Sequence, residues 1–244
     1  PFIHLDDLYN LYKATGNIES IADIVFEIAK TGRKIDVKEF LGTWETAGSK
    51  LAVRLINTEW NSDFLKNVPH RDFLDLSLVI YMDFVKNKEG LVSMAVDESL
   101  CRFWGISEET LFNTALANLK KEEFSIRDME EVIQVLRGED VKPTENDGMN
   151  YVMTNKEMQY GARSLLRQEL LMDFAEKVHA DLFIFPNSVN EVILTPQKEG
   201  LTKEELKDMI EIIKVFNKTS TDSLSENVYY FDRETREISI YSFD

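Results

Sequence analysis

The sequence predicts an α+β fold in which antiparallel strand hairpins pack with amphipathic helices. Three observations carry that expectation. Apolar residues recur at helical spacing in some segments and at every second position in others. Helical and strand segments arrive in blocks instead of alternating regularly, which favours antiparallel sheet over a doubly wound nucleotide-binding fold. Short turn segments, residues 87–90 and 233–235, separate runs that read as paired strands.

Taken in order, the chain opens with Leu5, Leu8, Leu11 and Tyr12, then Ile18, Ile21, Ala22, Val25, Ile28 and Ala29. The two stripes flank Gly16-Asn17 and read as a helical hairpin. A weaker helix follows over residues 37–44. Residues 51–56 read as a strand and residues 57–67 as a short helix or loop. Leu74, Leu76, Leu78, Ile80, Met82 and Phe84 then occupy alternate positions, which places all six on one face of a single strand. The opposite face, Asp75, Ser77, Val79, Tyr81 and Asp83, reads as half exposed. Residues 91–96 return to complete a hairpin.

Helices resume at Glu98. Ser107 is a natural N-cap, Glu108 and Glu109 favour the positive end of the helix dipole, and Leu111, Phe112, Ala115, Leu116 and Leu119 supply the buried stripe. A further helix is expected from about Arg127 to Leu136. Residues 150–154 read as a strand, residues 160–178 as a long helix, and residues 181–185 and 191–195 as two more strands. Thr202 and Glu205 form a capping box, with Leu201 placed to staple onto Leu206, ahead of a stripe continuing through Met209, Ile210, Ile213 and Phe216. Residues 228–232 and 238–243 close the chain as a hairpin, with Tyr230 facing away from Tyr229 and Phe231. The polar segment 138–149, with Pro143 inside it, is the expected loop or linker between an N-terminal half, 1–137, and a C-terminal half, 150–244. The halves also fit one continuous domain.

Composition narrows the functional classes. The chain has 244 residues, 43% apolar and 30% charged, in the range of ordinary globular proteins. Cys101 is the single cysteine, so no intramolecular disulfide and no cysteine zinc cluster can form, and a reducing, cytoplasmic setting is expected. No run approaches the roughly 20 apolar residues that span a bilayer. No signal peptide is evident, and the start at Pro1 reads as trimmed. With 28 basic and 44 acidic residues the formal net charge is -16. Such a charge opposes docking onto nucleic-acid phosphates or anionic lipid and fits a basic protein partner. A weaker reading is mimicry of nucleic acid by spaced carboxylates.

The standard chemistries find little support. The ten glycines form no phosphate-cradling loop, so no nucleotide cofactor is expected. His4, His70 and His179 are too far apart in sequence to pair on one helical turn, so no metal is expected. The acidic segment from Glu139 to Asp147 lacks the ligand spacing of a calcium loop. No nucleophile elbow is present. Cys101, among Leu100, Phe103 and Trp104, reads as a small buried hydrophobe, with Arg102 the one hint of activation. One local cluster remains, Pro69-His70-Arg71-Asp72 with Asp75. In an extended chain His70 and Asp72 project to one side, the raw material of acid–base chemistry, and Arg71 can hold an anion. A turn set by Pro69, with ordinary capping and ion pairing, explains the same residues.

Several segments resemble blocks of an uncharacterised protein family from anaerobic gut Firmicutes. They are Val68-Pro69-His70-Arg71-Asp72-Phe73-Leu74-Asp75-Leu76, Trp104-Gly105-Ile106-Ser107-Glu108-Glu109-Thr110-Leu111, the pair Asp181-Leu182-Phe183-Ile184-Phe185-Pro186 and Glu191-Val192-Ile193-Leu194, and Val228-Tyr229-Tyr230-Phe231-Asp232-Arg233-Glu234-Thr235. The spacing is similar, more weakly, to YtpQ-like bacterial proteins of unknown function. The resemblance implies a bacterial, cytoplasmic setting and assigns no reaction. The leading expectation is therefore a cytosolic module that binds another protein without catalysis. The alternative is a hydrolase or transferase using His70, Asp72 and Asp75, with Arg71 as anion holder.

Overall fold

The computed structural model describes residues 42–87, 90–140, 149–186, 188–197, 204–208 and 222–242. The expected helices at 5–12 and 18–29, the centre of the 87–90 turn, most of the 138–149 segment, Leu201 and Thr202, and the stripe from Met209 to Phe216 lie outside them. The described elements confirm an α+β fold with antiparallel sheet.

A four-stranded sheet has the order β1 (Leu51–Asn57), β3 (Leu76–Asn87), β2 (His70–Phe73), with β4 (Gly90–Ala95) pairing antiparallel to β3. The single strand expected from Leu74 onwards is in fact two strands, β2 and β3. Leu74 and Asp75 form the turn between them, and Leu74 has a left-handed φ of 56°. The alternate positions are buried from Leu76 to Met82, with Leu76, Ile80 and Met82 fully so and Leu78 nearly so; the side chain of Phe84 lies outside the described residues. The opposite face is less open than expected, since Ser77 and Val79 are also fully buried.

The chain forms two compact units. The first comprises residues 42–54 of the described set, Thr58–Arg71 and Leu78–Lys121; the second comprises Leu55–Asn57, Asp72–Ser77 and the described residues from Glu122 on.

In the first unit, α1 (Trp44–Ala47) leads into a short 3-10 turn, and α2 (Ser62–Leu65) follows β1. Helix α3 (Glu98–Trp104) starts where the Asp97 carboxylate accepts the Leu100 N–H at 2.9 Å. It stops at Gly105, whose φ of 67° suits a residue without a Cβ. Helix α4 (Glu108–Leu119) begins at Ser107, whose hydroxyl accepts the Thr110 N–H at 3.2 Å. Its buried side is Leu111, Phe112, Ala115 and Leu119. The Asn118 amide donates to the carbonyls of Gly48 (2.8 Å) and Leu51 (3.0 Å), fixing α4 against the entry to β1. Arg54 is buried, pairs with Asp83 at 3.1 Å and lies 4.0 Å from the Tyr81 ring centroid.

The second unit is built on a six-stranded antiparallel sheet in the order β10 (Glu237–Ile240), β9 (Tyr229–Asp232), β7 (Leu182–Phe185), β8 (Val192–Pro196), β6 (Tyr151–Asn155), β5 (Phe124–Asp128). Strand β5 has no counterpart in the sequence expectations. It precedes α5 (Met129–Leu136), the helix expected there, and pairs with β6. In β9 Tyr229 and Phe231 are fully buried and Tyr230 is not, as the alternation requires. Phe183, Phe185, Leu206 and Val228 share one core cluster, so the described helical segment 204–208 buries its one leucine.

The long helix expected over 160–178 is broken. Residues Gly161–Leu166 form a 3-10 segment, Arg167 leaves helical geometry, and α6 (Gln168–Val178) follows, with Phe174 edge-on to Tyr151 at 4.8 Å. The cause is close packing at the start. A Cβ on Gly161 would lie 2.2 Å from the Thr154 hydroxyl and 2.4 Å from the Asn190 carbonyl. Tyr160 before it adopts a left-handed φ of 50°.

Candidate functional site

The structure gives the residues of the Pro69–Asp75 stretch different surroundings. His70 is exposed, and its Nδ1 is 3.0 Å from the Val68 carbonyl; since a carbonyl only accepts, the proton there belongs to Nδ1. The Arg71 guanidinium stacks 4.3 Å above the centroid of Phe112, a cation–π contact. Asp72 is exposed at the position of β2 alternate to His70.

Asp75 is committed elsewhere. One carboxylate oxygen accepts the Tyr229 hydroxyl, and the other accepts the Ser225 hydroxyl at 2.7 Å and the Asn227 amide at 3.0 Å. Tyr229 and Ser225 are buried, so these bonds replace water that neither hydroxyl can reach. Burial first, then the Asp75 hydrogen bond and charge, hold the Tyr229 hydroxyl protonated far above the usual tyrosine range. The same three bonds explain why the β2–β3 turn overrides the alternation that began at Leu74.

Cys101 is buried, and its thiol is pushed up to about 11. Desolvation is the main cause, the carboxylates of Asp97, Glu108 and Glu98 add to it, and Arg102 opposes them without prevailing. The thiol is neutral at physiological pH and a poor nucleophile.

Two polar groupings were missed by sequence reasoning, because their members are distant in the chain. In the first, buried Arg163 meets Glu122 through both Nε (2.8 Å) and Nη2 (2.6 Å), a two-pronged pair. Asn155 also donates to Glu122 at 2.8 Å, and Arg167 donates to the Glu122 carbonyl at 3.2 Å. In the second, Asn190 accepts the Tyr160 N–H at 3.0 Å and donates to Asp222 at 3.3 Å, while the Val189 N–H bonds the Asp222 carbonyl at 2.8 Å. Next to it, burial raises the Glu191 carboxyl above the usual glutamate value; the Asp222 charge adds to the rise and a hydrogen bond from Ser188 opposes it. Among the described residues, no group of three or more His, Cys, Asp or Glu is placed to hold a metal ion. No helix among them is long and apolar enough to cross a membrane.

Helix α5 is the feature that stands apart. Asp128 caps it by accepting the Glu130 N–H at 2.8 Å, and it packs back onto β5 and β6. Met129, Val132, Ile133 and Leu136 fall at i, i+3, i+4 and i+7, one continuous stripe, with Val135 at its edge. Only Val132 is buried. Ile133 is 39% exposed, Val135 49% and Leu136 67%, so the stripe emerges from the core into solvent towards the C-terminal end. Met149, 61% exposed, is at the other end, where the Met129 N–H bonds the adjoining Asn150 carbonyl at 3.0 Å. Ile133, Val135 and Leu136 are three of the eight large apolar side chains exposed among the described residues, and they fall within four consecutive positions. The charged residues next to them in sequence are mainly acidic: Glu130, Glu131, Glu139 and Asp140, against Arg127 and Arg137.

With this geometry in view, the comparisons with known proteins add a family and no activity. Residues 1–233 match the model of a family of unknown function, DUF5688, and the chain belongs to that family. No curated protein and no solved structure matches.

Proposed function

We propose that this chain is a non-catalytic binding module of the bacterial cytoplasm, which acts by engaging a basic protein partner. The observation that carries the reading is the α5 stripe, an apolar surface left open on a soluble-type fold and bordered by carboxylates. Contiguous exposed apolar side chains with a polar border are characteristic of interaction sites, whereas scattered ones are not. The net charge of -16 supports a basic partner through complementary fields and opposes nucleic acid and anionic lipid. The single, buried, protonated cysteine fits the reducing compartment.

The test is to recover binding proteins from the host at low salt, then reconstitute each candidate with the purified chain. The expected result is a defined basic protein that binds with fixed stoichiometry and weakens steadily as salt rises. Hydrolysis of an ester, amide or phosphoester by the purified chain, lost in His70→Ala and Asp72→Asn, would replace this reading with the acid–base one.

A further inference from the structure

We infer that the open face of α5 is a docking surface for a basic amphipathic helix of the partner, laid against Ile133, Val135 and Leu136 with its cationic side chains over Glu130, Glu139 and Asp140. The inference rests on the binding reading above and gives it a location and a ligand class.

Three properties of the face select this occupant. The first is spacing. Ile133 and Leu136 continue the stripe that Met129 and Val132 begin at the i, i+3, i+4, i+7 period, and Val135 flanks Leu136, so the open side chains form a short ridge on the last turn of the helix. Such a ridge packs well into the groove between ridges of a second helix, where an extended strand would match only isolated side chains. The second is continuity with the core. Val132 is 4% exposed and anchors the helix to the unit, while Ile133 and Leu136 on the same stripe are open, so the surface is carried by a helix that the core holds in place. The third is charge. Among the described residues beside the helix in sequence, Glu130, Glu139 and Asp140 are exposed and Glu131 is partly so, against the cations Arg127 and Arg137. A second copy of this chain would bring the same carboxylates and a second net charge of -16 against them, which disfavours a homodimer on this face. A helix with lysine or arginine flanking its apolar stripe satisfies both the apolar and the ionic part.

The test uses the full chain and a fluorescently labelled 18-residue peptide of leucine and lysine, designed to place leucine on one helical face. A peptide of the same composition in scrambled order keeps the charge and removes the apolar face. The designed peptide is expected to bind at least about tenfold more tightly than the scrambled one, a modest difference suited to a few partly exposed side chains. Leu136→Asp is expected to weaken it at least about tenfold. That sign is diagnostic: an added carboxylate would strengthen attraction to a lysine peptide if charge alone were at work. Leu136→Ser should weaken binding in the same direction. The double variant Glu139→Gln/Asp140→Asn should weaken it a few-fold and flatten its salt dependence. Ile240→Ser, on the exposed edge strand β10, should leave it unchanged. Unaltered melting temperatures for the α5 variants confirm that the surface, not folding, was changed.

Equal binding of the two peptides, or undiminished binding by Leu136→Asp, overturns the docking surface. If a host protein still binds in a salt-dependent way, the general binding reading survives that result. Self-association of the chain that Leu136→Asp abolishes would assign the face to a second copy and equally overturn the inference.

Discussion

The turn at Asp75 and the helix α5 belong to the same compact unit and treat their side chains in opposite ways. Asp75 is a charged residue in a turn, yet both its oxygens are occupied by donors from Ser225, Asn227 and Tyr229. Helix α5 carries an ordinary apolar stripe, yet that stripe is open at Ile133 and Leu136. The chemical character of a residue type is therefore a poor guide to its availability here. Asp75, a polar group that looks reactive, is closed off, while apolar groups that look like core remain accessible. A closed polar network is stabilising only as a whole, because removing one member leaves buried partners without water. An open apolar face costs little to alter and is free to bind.

If that contrast is sound, substitutions in the closed networks should be expensive. The largest effect is expected at Arg163. Arg163→Ala removes both prongs from Glu122, a carboxylate 21% exposed that would keep the Asn155 amide as its side-chain donor. Stranding one member of a buried pair costs about 3–5 kcal/mol. Urea unfolding should show that loss, and Arg163→Lys should recover part of it, since a lysine supplies charge without the planar fork. A cost below about 1 kcal/mol would mean the network relaxes and is not closed.

Asp75 comes next. Asp75→Ala removes the carboxylate that the buried Tyr229 and Ser225 hydroxyls share, at about 1–3 kcal/mol, and the hydrogen bond between the two hydroxyls absorbs part of the loss. Asp75→Asn keeps one acceptor oxygen and should cost less. Both variants, under conditions where they remain folded, should bind the leucine–lysine peptide as the native chain does. Loss of binding in proportion to stability would break the separation between closed and open regions.

The same contrast explains what was legible in the sequence. Periodicity and capping are local, and they located the Asn87–Gly90 hairpin strands, the Ser107 cap, α5 and the closing pair β9–β10 well. Where local pattern met long-range hydrogen bonds, the long-range bonds won. Leu74 continues the alternation but is drawn into a turn that Asp75 fastens to residues about 150 positions away. Gly161, wedged between Thr154 and Asn190, opens a 3-10 segment in a run that reads as α-helix by composition, and Arg167 interrupts it. Strand β5 alternates over Phe124-Ser125-Ile126-Arg127, but two apolar positions just ahead of a helix are too few to mark a strand. The stripe on α5 was readable as a stripe. Its exposure was not, because burial depends on whether something else in the fold lies over it.

Glu191 lies between the two extremes and should give the smallest effect, one whose sign discriminates. Burial and the Asp222 charge raise its carboxyl above the ordinary value of 4.5, so the folded state favours its protonated form. The stability that Glu191 contributes is then fully present below about pH 4.5 and is lost as pH rises through its higher folded value. Glu191→Gln is uncharged throughout and escapes that loss. The variant should therefore unfold at a higher urea concentration than the native chain at pH 7, and the advantage should shrink to nothing at pH 4 and below. An advantage independent of pH would show that packing, and not the buried charge, separates the two proteins. A native chain that is the more stable at pH 7 would mean that the Ser188 hydrogen bond outweighs desolvation, and Glu191 would then join Asp75 among the closed groups.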